Sequence, residues 1–130
     1  MRSNAGRVPS VVLSLVLTLS LFLGCKRQGA DSGAPHIAYV TNGIAAFWTI
    51  AKAGAEAAGR DLKVNVSVHM PAEGIADQKR ILEDLIIRGV DGVALSPIDS
   101  NNQASLINDT ALKTALITQD SDAPNTNRLA

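Results

Sequence analysis

The sequence predicts an α/β fold built on a parallel, four-stranded βαβ sheet with helices on both faces. Three observations predict it. Short β-rich apolar runs alternate with longer stretches of helical period, four runs and three stretches in all. The run Gly92-Val93-Ala94-Leu95 is nearly all apolar, as a central parallel strand is. Turn residues such as Asn42-Gly43, Pro71 to Gly74 and Ser96-Pro97 separate the elements. Strands that alternate with helices in this way pair in parallel through right-handed crossovers.

The first strand is His36 to Thr41, ended by Asn42-Gly43. Phe47 to Asp61 follows as an Ala-rich amphipathic helix, with Phe47, Ile50, Ala51, Gly54 and Ala58 on its packing stripe. Gly54 and Gly59 weaken the helix but permit close approach to a sheet. Lys63 to His69 alternates cleanly, which predicts a strand with one wetter face at or near a sheet edge. The second helix spans Ile75 to Arg88, burying Ile81, Leu82, Leu85 and Ile86, with Gly89 placed to end it. Its charges fit a solvated face, with Arg80–Asp84 and Asp84–Arg88 at i,i+4 spacing. Asn101 to Lys113 is the third helix, packing through Ala104, Leu106, Ile107, Ala111 and Leu112. Ala115 to Thr118 is the fourth strand, and Gln119 to Arg128 is polar loop.

Ahead of this domain lies an export signal. Arg2 and Arg7 precede an apolar run from Val11 to Leu23, and Gly24-Cys25 closes it. Cys25, the only cysteine of the chain, resembles the lipidated cysteine of bacterial lipoproteins, whose thiol receives lipid and becomes the first mature residue. Residues 1–24 are then the signal, 25–34 a small, polar tether, and 35–130 the domain. An ordinary cleaved signal and an uncleaved anchor are the alternatives. With one cysteine there is no intrachain disulfide.

The 130 residues allow one domain. Removing Arg2 and Arg7 from twelve basic residues leaves ten against twelve acidic ones in the mature part. That balance does not suggest nucleic acid as a partner, which calls for a clustered basic face.

In open parallel sheets the ligand crevice lies beyond the carboxyl ends of the strands. Thr41–Trp48, His69–Gly74, Ser96–Asn101 and Gln119–Arg128 meet there. Phe47 and Trp48 are two of the three aromatics after the signal, and they are adjacent. Flat aromatic faces stack on the C–H faces of sugar rings; the same pair could equally staple the first helix to the sheet. Neighbours on a helix point about 100° apart, so one ring can pack while the other meets a ligand. Asp120 and Asp122 follow the fourth strand. A carboxylate there can accept two sugar hydroxyls in charge-assisted bonds, or it can cap the loop before Pro124.

Other chemistry has less support. A calcium loop fails on Pro124 and Asn125 and on the lack of a later glutamate. His36 and His69 sit at opposite ends of their strands and read as structural. No serine stands in a nucleophile elbow, and Glu83-Asp84 is a surface pair, so no enzyme, metal site or cofactor is expected.

Ile37-Ala38-Tyr39-Val40, Phe47-Trp48, Ala57-Ala58, Asp77-Gln78, the run from Asp84 to Pro97 and Ile117 to Pro124 resemble the ribose-type periplasmic binding proteins, the sugar-capturing components of ABC importers. The resemblance implies a Rossmann-like lobe, one of two that close on a sugar, with delivery to a membrane permease. It matches the aromatic pair to Phe47 and Trp48 and the sugar-binding aspartate to Asp120, with Asn42 the nearest candidate for a polar residue after the first strand. Ser121 stands where an arginine commonly follows that aspartate, and Asp120-Ser121-Asp122-Ala123-Pro124 is closer to a lipoprotein subgroup. The resemblance also implies a truncated first lobe without hinge or second lobe, so weak sugar binding is expected of these residues. A periplasmic sensor that presents its ligand to a chemoreceptor or kinase, and a nonfunctional remnant, are the alternatives. A repressor-like regulator would need a helix-turn-helix where the signal stands.

Overall fold

The computed structural model describes residues 33–130; the expected export signal, Cys25 and the expected tether as far as residue 32 lie outside them. The described chain runs β1 (His36–Val40), α1 (Ala46–Leu62), β2 (Asn65–His69), α2 (Ile75–Ile87), β3 (Gly92–Leu95), α3 (Ala104–Ala111) and β4 (Ala115–Thr118). All pairings are parallel, in the order β2-β1-β3-β4. The alternating strand β2 is at an edge, as its pattern predicts, and β3 is central.

Register fixes the two faces. Ala38 stands beside Ser67 and Val93, Val40 beside His69 and Leu95, and Val93 beside Leu116. These positions face α2 and α3, which touch each other. Leu82, Leu85 and Ile107 meet Val40, Val93, Leu95 and Leu116 in the core, all at most 2% exposed. Each such side chain contributes about 1.5–3 kcal/mol through burial. The intervening positions Ile37, Tyr39, Val66 and Val68 point to the other face, where α1 packs on β2. Helices thus cover both faces.

The packing stripe of α1 differs from the expected one. Phe47 and Ile50 are exposed, as are Gly54 and Ala58, and the face turned inward carries Trp48 and Gly59 with Ala51 and Ala55 half-buried. Gly59 sets this rotation. A Cβ there would lie 2.7 Å from Val66 Cγ2, so only glycine lets the helix sit this close to β2, whereas a Cβ on Gly54 would meet open space. The apolar count favoured the wrong stripe by one residue, about 100°.

Three boundaries also move. Lys63 does not begin β2 but ends α1 in the left-handed conformation (φ 56°), and Val64 N–H returns to Gly59 O at 3.0 Å. Regular helix in α3 starts at Ala104, because Asp99 Oδ1 already accepts the N–H groups of Asn101 and Asn102 in a turn. Leu112 lies past its end and is exposed rather than packed. Gly89, at φ 73°, follows α2 as expected. On that helix Arg88 pairs with Asp84 at 2.8 Å, but Arg80 turns back to Asp77 at 2.6 Å, whose carboxylate also accepts Ala72 N–H.

Candidate functional site

The chain leaves β1 for β2 on one side and later crosses to β3 on the other, so strand order reverses between β1 and β3. Helices on opposite faces part there and leave a crevice beyond the strand ends. β1 delivers Thr41-Asn42 to that crevice, β3 delivers Ser96, and β4 delivers Gln119-Asp120.

These residues meet on one carboxylate. Asp120 Oδ2 accepts from Ser96 Oγ at 3.0 Å, Asn42 Nδ2 at 3.3 Å and Ser121 Oγ at 3.4 Å. Its other oxygen, Oδ1, has no hydrogen-bond partner among the described residues, and no Lys, Arg or His there pairs with it. The side chain is exposed to solvent. The backbone at Asp120 is itself unusual: φ is 63°, and Ser121 N–H closes onto Gln119 O at 2.8 Å. A three-residue turn with a positive central φ is rare and strained, and such strain concentrates at functional positions.

Phe47 and Trp48 divide their work. Trp48 is 4% exposed and donates its indole N–H to Asn42 Oδ1 at 2.9 Å, while Phe47 is 60% exposed. Their rings meet edge to face at 4.8 Å, and Tyr39 stands 6.3 Å behind Trp48. The Tyr39 hydroxyl donates to Gln119 Oε1 at 2.9 Å. Burial, and then the charge of Asp120, hold its pKa above the ordinary phenol value.

Below this layer lies an amide clamp. Gln78 is fully buried on α2; its Nε2 donates to Thr41 O and Ser96 O, both at 2.8 Å. Its Oε1 accepts from Ile98 N–H at 3.3 Å and from Gln103 Nε2 at 2.8 Å. Gln103 Oε1 in turn accepts Asp99 N–H at 2.9 Å.

Asp122 is placed differently from Asp120. Its Oδ1 accepts from Thr118 Oγ1 at 2.9 Å and Ala123 N–H at 2.7 Å, and Arg128 pairs with it at 2.8 Å. The Thr118 hydroxyl, then the Ala123 N–H, hold its carboxyl below the usual range. A shallow cavity of about 300 Å³ borders both aspartates and is lined also by Thr118, Gln119, Ser121, Arg128 and Ala130. That size lies at the low end for small-ligand sites. Among the described residues no three His, Cys, Asp or Glu side chains are grouped to hold a metal ion.

With this geometry in view, a sequence profile described as the periplasmic binding protein domain matches residues 37–130. The chain belongs to that family. A search of curated protein sequences finds no match. Among solved structures, GanP, a glucose-galactose binding protein from Geobacillus stearothermophilus, is 27% identical with a TM-score of 0.69; the match covers 75% of this chain and 36% of GanP. A solute-binding protein of an ABC transporter from Burkholderia graminis, solved with D-arabinose, is 27% identical with a TM-score of 0.70, over 76% of this chain and 35% of that one. AraP, an arabinose-binding protein from Geobacillus stearothermophilus, is 23% identical with a TM-score of 0.68, covering 75% and 34%, a likeness of fold. The chain thus spans about a third of the length of these binding proteins.

Sequence reasoning brought Asn42, Phe47, Trp48 and Asp120 to one end of the sheet, and the structure joins Trp48, Asn42 and Asp120 in one hydrogen-bonded chain. Ser96, Gln78 and Gln103 were missed as site residues. Ser96 falls in a segment expected at the crevice but is not singled out there, although its place directly after a central strand is a usable signal. Gln78 was hidden by the charges flanking it at Asp77, Lys79 and Arg80, which mark a solvated face. The histidines read as structural converge on Ser67 Oγ, His36 Nε2 at 2.8 Å and His69 Nε2 at 3.0 Å.

Proposed function

We propose that this chain supplies one wall of a sugar-binding crevice in the substrate-binding component of an ABC importer. One observation carries the reading: Asp120 is strained, exposed and unpaired with any cation among the described residues, while three donors hold only one of its oxygens. A carboxylate fixed in this way offers Oδ1 to ligand hydroxyls in charge-assisted bonds. Phe47, standing exposed at the start of α1, offers a flat face for the C–H side of a sugar ring. Asn42 orients Asp120, and Trp48 contributes by holding Asn42. Asp122 acts through the Arg128 pair that builds the neighbouring loop.

The sugar class is supported by the ligands named for the similar binding proteins, glucose and galactose for GanP and D-arabinose for the Burkholderia protein. The importer role brings with it a membrane permease as partner and a periplasmic or cell-surface location. Lipid on Cys25 would hold the domain within reach of that permease. No catalytic step is assigned.

Calorimetric titration of the full chain with D-arabinose, D-xylose, D-ribose, D-galactose and D-glucose tests the reading. Saturable, weak binding of at least one, lost in Asp120→Asn at unchanged Tm, is the expected result. Heats that never saturate for any of the five, or binding that survives Asp120→Asn, contradict it.

A further inference from the structure

We propose that Gln78 is a positioning residue for the crevice: its single buried amide locks the ends of β1 and β3 in the spacing that lets Asn42 and Ser96 share Asp120. The inference rests on the sugar-crevice reading for its consequence, not for its geometry.

The orientation of the Gln78 amide follows from its neighbours. Two carbonyl oxygens, Thr41 O and Ser96 O, face one end at 2.8 Å, and a carbonyl only accepts. The backbone N–H of Ile98 faces the other end at 3.3 Å, and a backbone N–H only donates. The –NH2 group therefore sits between the two strand ends, and no turned-over amide satisfies the site. Thr41 directly precedes Asn42, and Ser96 itself carries the hydroxyl that donates to Asp120 at 3.0 Å. One side chain from α2 thus joins the backbones bearing two of the three donors on Asp120.

Nothing else in the described residues joins all these points. Ser96 N–H reaches Val40 O at 2.8 Å and Thr41 N–H reaches His69 O at 3.0 Å, so backbone bonds tie β1 to its two neighbours. Past those bonds Thr41 O and Ser96 O depend on Gln78. Gln103 completes the clamp by occupying Gln78 Oε1 and, through Asp99, the loop after β3. Thr41, Gln78, Ser96 and Gln103 are each at most 2% exposed, where an unmade hydrogen bond is not replaced by water.

A structural glutamine and a positioning one differ in what moves when it is removed. Gln78→Met keeps the length of the side chain and removes the amide; Leu82→Ala, one turn along the same helix, weakens the core and leaves the clamp in place. Both are expected to lower Tm. In 15N-labelled full chain without sugar, Gln78→Met should shift the Trp48 indole and Asn42 side-chain resonances and speed exchange of the indole N–H by about tenfold, the factor for one hydrogen bond of ordinary strength. Leu82→Ala should leave these resonances in place. Weaker binding of D-arabinose or D-galactose by Gln78→Met, by about tenfold, then follows from the loosened Asp120 donors.

If Gln78→Met does not fold, Gln103→Met removes one partner of the clamp and is read the same way. Resonances of Trp48 and Asn42 that respond alike in the clamp variant and in Leu82→Ala would overturn the inference. If wild-type chain binds neither sugar while the clamp variant still moves Trp48 and Asn42, the sugar reading fails and the positioning geometry stands.

Discussion

The indole N–H of Trp48 points at Asn42 Oδ1, 2.9 Å away, and this contact decides which way the Asn42 amide faces. An indole nitrogen only donates, so it fixes the carbonyl end of Asn42 toward itself and turns the –NH2 end to Asp120. A buried ring thereby sets the hydrogen-bonding face of the crevice without touching it.

Replacing Trp48 with Phe removes the donor but keeps a ring. Asn42 is then free to turn over, and sugar affinity should fall while the helix stays docked, as judged by unchanged circular dichroism. Trp48→Ala goes further and should cost about 3–5 kcal/mol of stability, because the side chain is buried. Phe47→Ala should cost only about 0.5–1.5 kcal/mol, the edge-to-face contact with Trp48, yet weaken sugar binding. Chemical denaturation and titration of the three variants separate the two rings.

The two helical glycines of α1 should respond with opposite sign. Gly59→Ala drives a Cβ to within 2.7 Å of Val66, a stiff β-branched side chain, and overpacking of this kind costs about 1–3 kcal/mol. Gly54→Ala meets nothing within 4 Å and should stabilise the helix by roughly 0.5–1 kcal/mol. Urea midpoints at constant m-value measure both.

Lys63 holds a left-handed backbone at the end of α1, where glycine is the easier residue. Lys63→Gly should therefore raise stability by up to ~1 kcal/mol, and a lower urea midpoint would show that the Lys63 side chain contributes contacts of its own.

Stability should fall as pH drops below the ordinary histidine range. Burial, and then the neighbouring His36, push the His69 pKa below 6.5, with Arg88 acting in the same direction and Asp84 against it. The folded state therefore prefers neutral His69. Its contribution is fully present above the unfolded value and is lost as pH falls through the lower folded one. Urea denaturation at pH 7.5 and 5.5 should show this loss, and His69→Asn should remove much of it. Asp77, Asp99 and Asp122, all held below the usual carboxylate value mainly by hydrogen bonds, bring a separate loss only below pH 3.8.

The order of elements, the edge place of β2 and the meeting of Asn42, Trp48 and Asp120 beyond the strand ends were all legible in the sequence. They follow from hydrophobic period and turn residues, which act locally. The rotation of α1 was not legible, because it depends on how near Gly59 comes to Val66, a contact between two elements. Phe47 and Ile50 looked like core on apolar character alone, and that close approach turns them outward. Gln78 was hidden for a related reason. A buried amide surrounded by charges in sequence is recognisable only when Thr41 O and Ser96 O have been brought to it.

The most direct test of the account follows the crevice residue by residue as sugar is added. In 1H–15N spectra of the full chain titrated with D-galactose and D-arabinose, saturable shifts should concentrate at the Asn42 side chain, the Trp48 indole, Ser96 and Asp120, with Asp120→Asn abolishing them. Shifts that fall elsewhere, or that persist unchanged in Asp120→Asn, would contradict the assignment of Asp120 as the centre of the site.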